Sequence, residues 1–171
     1  MSQLIRVAGI VPESIVDGPG IRYTLFVQGC PHGCPGCHNP QTHPFEGGTL
    51  YTPQQLLEQV QEDPLIAGVT LSGGEPLCQA EALLPFAHGL RQLGKNILCY
   101  SGYTFEALWQ EADPQRLALL ELCDLLIDGP FLQEEKSLEL LFRGSRNQRI
   151  LDVPASLAAG KAVLAAAYLG R

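Results

Sequence analysis

Ile21-Arg-Tyr-Thr-Leu-Phe-Val27 runs without a break into Gln28-Gly-Cys30-Pro-His-Gly-Cys34-Pro-Gly-Cys37-His-Asn-Pro40, and this junction decides how the rest of the chain is read. The first seven residues are β-branched or aromatic at five positions, which predicts a strand. The loop that follows carries four prolines and several glycines before Gly48. Proline removes N–H donors and glycine loosens the backbone, so the loop holds no ladder or helix and keeps free polar groups. A strand that empties into a loop rich in ligand side chains is how α/β proteins present chemistry.

Outward from this junction the pattern alternates. Pro53 opens a helix from about Gln54 to Glu62, capped by Thr52. Ala67 to Leu71 is a second strand ending in Ser72-Gly73-Gly74-Glu75-Pro76, and Gln79 to Leu93 is a helix stopped by Gly94. Asn96 to Tyr100 is a third strand, followed by Ser101-Gly102 and a helix from Thr104 to Gln110. Asp113 caps a helix from Pro114 to Leu122, and Cys123 to Ile127 is a fourth strand ending in Asp128-Gly129-Pro130. Arg149 to Val153 suits one more strand. Residues 154–171 are alanine-rich but contain Pro154 and Gly160, which fits a C-terminal helix or a loose tail. Strands separated by helices predict a parallel α/β sheet, because each crossover needs a dozen or more residues. Spacing alone fits a doubly wound sheet and an open fragment of a (β/α) barrel equally. In either, Cys30, Ser72–Glu75, Ser101-Gly102 and Asp128-Gly129 follow strand C-termini and so share one face.

Composition narrows the function classes. A chain of 171 residues, 46 % hydrophobic, suits one core and excludes a disordered polymer. A formal charge of -7 argues against a nucleic-acid partner, whose affinity rests on neutralised phosphates. The opening residues are broken by Glu13 and Asp17 and do not read as a secretory signal. No apolar run reaches the roughly 18 residues of a membrane span. The expectation is a cytosolic protein without a membrane partner. Six cysteines in a reducing compartment point to metal ligation or burial rather than disulfides. Acid gathers between Glu106 and Glu139, and Arg143, Arg146 and Arg149 follow it closely. That asymmetry suits docking of a protein partner, a small anion, or simply a solvated surface.

The three loop cysteines are spaced Cys-x3-Cys-x2-Cys. Thiolates hold iron–sulfur clusters, and three of them can take three corners of a four-iron cube. Gly29, Gly33 and Gly36 each precede a cysteine and let the backbone approach the sulfides. The fourth iron then lacks a cysteine, and an open position marks a reacting metal. Structural zinc is the alternative, with His32, His38 or His43 as fourth ligand. Cys99 and Cys123 fall within predicted strands and read as buried small hydrophobes. Cys78 lies nearer the presumed site.

Taken with Ser72-Gly73-Gly74-Glu75-Pro76, the cysteine loop resembles that of the radical S-adenosylmethionine superfamily. Finer motifs resemble the activases of glycyl-radical enzymes, in particular those of anaerobic ribonucleoside-triphosphate reductase. These are Asp17-Gly18-Pro19-Gly20-Ile-Arg22, Cys37-His38-Asn39-Pro40, Asp128-Gly129-Pro130-Phe131 and Arg143-Gly144-Ser145-Arg146-Asn147-Gln148-Arg149. The resemblance implies an incomplete (β/α) barrel of parallel strands forming a single domain over residues 1–171. It implies that Cys30, Cys34 and Cys37 ligate a [4Fe–4S] cluster whose fourth iron takes the amino and carboxylate groups of S-adenosylmethionine. Gly73, Gly74 and Glu75 are then expected at the methionine amino end, with Ser101 and Asp128 at the cofactor's other polar groups. One-electron reduction of the sulfonium releases methionine and a 5′-deoxyadenosyl radical, which takes a hydrogen atom from a glycine of the reductase. Flavodoxin or ferredoxin is the implied electron donor. Asp17, Arg22, Arg143, Arg146 and Arg149 are the expected partner-docking residues.

Two positions depart from related proteins. Gly36 stands where many superfamily members have an aromatic residue, so His38 is left to face the adenine. Ser101-Gly102 stands where a related activase has an aspartate, which removes a ligand for a monovalent cation. The alternatives are an activase or radical enzyme acting on another substrate and a non-catalytic iron–sulfur electron-transfer module.

Overall fold

The computed structural model describes residues 3–171; the first two residues of the expected domain lie outside the described residues. Seven strands form one sheet: β1 (Ile5–Ser14), β2 (Arg22–Val27), β3 (Thr49–Tyr51), β4 (Gly68–Gly73), β5 (Asn96–Tyr100), β6 (Leu125–Asp128) and β7 (Arg149–Asp152). The helices are α1 (Pro53–Gln61), α2 (Ala80–Gln92), α3 (Phe105–Glu111), α4 (Pro114–Glu121) and α5 (Val153–Ala159). The expected caps form: Thr52 closes a capping box with Gln55, and Asp113 accepts from the N–H groups of Gln115 and Arg116.

The strand order is β3-β1-β2-β4-β5-β6-β7. The central four, β2, β4, β5 and β6, run parallel as expected. The flanks do not: β1 pairs antiparallel with β2 and β3, and β7 pairs antiparallel with β6. The sheet is therefore mixed rather than wholly parallel. Its parallel strands follow chain order without reversal, so successive right-handed crossovers lay the helices on one face. A doubly wound sheet reverses at a switch point, and this one does not. With β3 and β7 at its two edges, the sheet is an open, incomplete barrel.

Alternation along the strands separates two faces. The paired row Leu25, Leu71, Cys99 and Leu126 packs under the helices with Leu83, Phe86 and Leu90. The adjacent row Thr24, Thr70, Leu98 and Leu125 faces the other way. Arg22 also lies on this second face and is fully buried, which corrects its expected place on a docking surface. The Asp17–Gly20 loop folds over it so closely that a Cβ on Gly18 would lie 2.7 Å from Arg22 Cδ. The guanidinium donates to Thr70 Oγ1 (2.7 Å), Asn96 Oδ1 (2.6 Å), Pro19 O (3.0 Å) and Val69 O (2.8 Å). Burial lowers its pKa to about 10, opposed by the more distant charges of Asp124 and Asp17. Among the described residues, no helix is long and apolar enough to cross a membrane.

Candidate active site

The C-terminal ends of β2, β4, β5 and β6 surround a cavity of about 340 Å³. Parallel strands must deliver their following loops to this end, so the fold itself gathers residues far apart in sequence. Cys30, Cys34 and Cys37 all line the cavity, together with Asp17, Gly73, Gly74, Ser101 and Arg143. Glu75, Asp128, Arg22, Arg146 and Arg149 do not.

The three thiols are free and half-buried. Burial pushes the Cys30 thiol up, and the charge of Glu75 adds to this, while backbone hydrogen bonds from His32 and Gly33 oppose it. Among the described residues, no three His, Cys, Asp or Glu side chains converge as a tight ligand group. The thiols share a wall rather than a point. Zinc needs four donors about one centre, whereas a cluster spreads its thiolates over separate irons. Three thiols on one loop, facing one cavity, could serve three irons of a four-iron cluster and leave the fourth without a thiolate.

The glycine pair is required by close approach. A Cβ on Gly73 would lie 2.4 Å from Val27 N, and one on Gly74 would lie 2.3 Å from Gly29 O. Gly74 N donates to Val27 O (2.9 Å) and Glu75 N to Gly29 O (2.8 Å), stitching the end of β4 to the start of the cysteine loop.

Glu75 sits one layer behind the cavity and is fully buried. Its Oε1 accepts from His32 Nε2 (2.6 Å), Ser101 Oγ (3.0 Å) and Gly102 N (2.8 Å), and its Oε2 from Leu77 N (3.0 Å). Ser101 reaches the cavity wall while also accepting from Tyr103 N at 3.0 Å. Asp128 points to the helix face instead. Its Oδ2 accepts from Phe105 N at the start of α3 (2.8 Å), and its carboxylate pairs with Arg149, which also pairs with Glu106. Gly129, the next residue, lines the cavity in its place. Of the three other arginines expected with Arg22 at a docking surface, Arg143 reaches the cavity, Arg146 is exposed elsewhere, and Arg149 is committed to internal carboxylates.

The wall also holds residues that sequence reasoning did not single out. Tyr100 donates its hydroxyl to Phe142 O (2.6 Å), and both side chains line the cavity. Phe142 has φ +60°, a conformation bulky residues rarely adopt, and nothing in its local sequence signals that. His38, which the sequence did point to, packs against Phe131 with ring centroids 5.1 Å apart, giving the cavity an aromatic corner despite Gly36.

Comparison with known proteins bears on the same residues. Residues 16–151 match the family model described as a 4Fe-4S single cluster domain. The anaerobic ribonucleoside-triphosphate reductase-activating protein of Haemophilus influenzae is 39 % identical over 147 residues, covering 81 % of this chain and 92 % of that protein. The protein of the same name from Enterobacteria phage T4 is 37 % identical, covering 82 % and 90 %. The chain belongs to the anaerobic ribonucleoside-triphosphate reductase-activating protein family. The part of this activase-family chain that matches the cluster-domain model takes in the cysteine loop and the ends of β2, β4, β5 and β6. Family membership makes it a radical S-adenosylmethionine type of protein with a 4Fe–4S site. Among solved structures, QueE from Escherichia coli overlays with a TM-score of 0.48 and 19 % identity, over 59 % of this chain and 54 % of that one.

Proposed function

We propose that this chain, acting as one domain, reductively cleaves S-adenosylmethionine to a 5′-deoxyadenosyl radical and so generates a glycyl radical on anaerobic ribonucleoside-triphosphate reductase. The observation that carries the reading is the meeting of Cys30, Cys34 and Cys37 with Gly73, Gly74 and Ser101 around one cavity at the strand ends. In this reading the three cysteines hold a [4Fe–4S] cluster, which when bound supplies one low-potential electron and an open iron position. Flavodoxin or ferredoxin is the proposed source of that electron.

The chain's own residues bind and orient. Gly73 and Gly74, held against the backbone of Val27 and Gly29 by their lack of Cβ, line the cavity and are proposed to face a ligand's polar end. Ser101 adds a hydroxyl whose direction Glu75 fixes. Glu75 supports this wall from behind, and a direct contact between its carboxylate and an ammonium would require it to leave its present donors. Asp128 organises α3 and β7 from outside the cavity wall. Arg143 and Asp17 are the charged residues at the wall from the docking set, and they are proposed to face the incoming glycine segment.

Anaerobic reconstitution with iron and sulfide, reduction and addition of S-adenosylmethionine should give 5′-deoxyadenosine and a shifted cluster EPR signal. Mixing with the reductase should then give a glycyl-radical doublet. Iron-loaded protein that forms no 5′-deoxyadenosine would leave the electron-transfer reading standing in its place. Formation of 5′-deoxyadenosine without the doublet would point to another substrate.

A further inference from the structure

His32 occupies the three-residue spacer between Cys30 and Cys34, where a solvated side chain would meet every sequence requirement. The structure instead builds a seat for it. Its Nε2 lies 2.6 Å from Oε1 of Glu75, a carboxylate with no exposed surface. Carboxylate oxygens accept and do not donate, so Nε2 carries the proton. The ring packs edge-on against Tyr103 with centroids 4.6 Å apart. Gly102 leaves the room: a Cβ there would lie 2.5 Å from His32 Cδ2.

Apart from the anchors at Gln28 and Gly29, the rest of the loop bonds to itself. Gly29 N donates to Thr42 O, Cys30 N to His43 O and Cys37 N to Cys34 O. Among the described residues, the His32–Glu75 bond is the single hydrogen bond that joins residues 30–39 to anything outside residues 28–44. Glu75 carries that restraint onward to the end of β5 through Ser101 Oγ and Gly102 N.

We infer that His32 is a positioning residue that docks the cysteine loop, through buried Glu75, onto the ends of β4 and β5. A glycine- and proline-rich loop has large conformational freedom, and one charge-assisted bond at its middle restricts where Cys30 and Cys34 can stand. The inference deepens the proposed function and rests on it for its consequence, which is retention of the metal group. Its structural part stands on the metal-free chain alone.

The test begins with amide hydrogen exchange on the metal-free chain. His32→Ala should speed exchange at Cys30 and Cys37 on the order of tenfold, the effect of losing one hydrogen bond to a charged group. Amides of α2 should keep their rates. His32→Gln, which retains an N–H donor, should restore protection; His32→Leu, of similar bulk, should not. Iron retained after anaerobic reconstitution should follow the same order, wild type and His32→Gln above His32→Leu. If His32→Ala loses its α2 protection, the Gln–Leu pair decides alone. Equal loop exchange in the Gln and Leu variants overturns the inference, whether or not wild type takes up iron. Wild type that takes up no iron while the exchange contrast holds would overturn the cluster reading and leave the docking role intact.

Discussion

Asp128 and Arg149 stand opposite each other in the β6–β7 ladder and close a two-bond ion pair, Nε to Oδ1 at 3.0 Å and Nη2 to Oδ2 at 2.5 Å. Asp128 is almost wholly buried, and its remaining partner is the N–H of Phe105. One carboxylate thus fixes both the edge strand β7 and the start of α3. This explains why Asp128 is absent from the cavity although it ends a strand there.

Removing Arg149 leaves that buried carboxylate short of two donors. Arg149→Ala should destabilise the fold by about 2 kcal/mol, less than for a fully buried pair because solvent screens the third of Arg149 that is exposed. Arg149→Lys keeps the charge but not the fork and should fall between the two. Urea unfolding checks this, with a lowered midpoint and unchanged slope. An unchanged midpoint in Arg149→Ala would mean that the pair adds nothing.

The same arginine gives the fold an acid limb. Its hydrogen bonds pull the Glu106 carboxyl below its ordinary 4.5, against a smaller opposing effect of burial. A depressed carboxyl stabilises above the unfolded value and loses that contribution as pH falls through the folded one. Glu106→Gln should therefore be less stable than wild type at neutral pH, by under about 1 kcal/mol for so exposed a pair. The two proteins should converge as pH falls through the folded value, where both come to carry a neutral group. A difference that persists there would show that the charge is not its source.

The central elements were legible in the sequence because their signals are local. β2, β4, β5 and β6 show apolar runs ended by glycine, and Pro53, Pro114, Thr52 and Asp113 mark helix starts by capping chemistry. β1 was not legible. Gly9 and Pro12 interrupt its pattern, and the ladder accommodates them through register shifts between Val7 and Gly9 and between Val11 and Ser14. β3 is three residues long and carries almost no pattern. The tail holds α5, which ends at a left-handed Gly160, then a stretch at Val163–Ala165 that bonds back to β7, and a short 3-10 turn at Ala166–Tyr168. In the site, which residues approach one another followed from the parallel sheet. Which way each side chain turns did not: Glu75 and Asp128 both follow strands, yet hydrogen-bond donors on distant segments draw each away from the cavity.

Two glycines beside the same loop should differ sharply. Alanine at Gly74 would place its Cβ against the backbone of Gly29 and push apart the Glu75 N to Gly29 O bond. Gly74→Ala should cost about 3 kcal/mol, combining overpacking with a lost buried hydrogen bond. Gly33, at φ +58°, has open space around its missing Cβ. Gly33→Ala should cost only about 1 kcal/mol of backbone strain. Thermal unfolding of the two variants in parallel measures the gap. Equal losses would mean that the Gly74–Gly29 contact relaxes without cost.

The cysteines divide by the same logic of what each thiol faces. Cys34 lines the cavity, whereas Cys123 is buried under α4 and donates its Sγ–H to Leu119 O at 3.3 Å. Replacing Cys34 with alanine removes a thiol donor from the cavity wall and little packing. Iron content after reconstitution should fall well below about four per chain, while unfolding stability of the metal-free protein changes little. Cys123→Ala should do the reverse, keeping full iron content while losing about 1 kcal/mol to the small void left in the core. Iron assay and urea unfolding on the same two samples separate the roles. A Cys34→Ala protein that keeps its iron would show that the cavity thiols are not the donor set, because the two remaining loop cysteines cannot hold a four-iron group against dissociation.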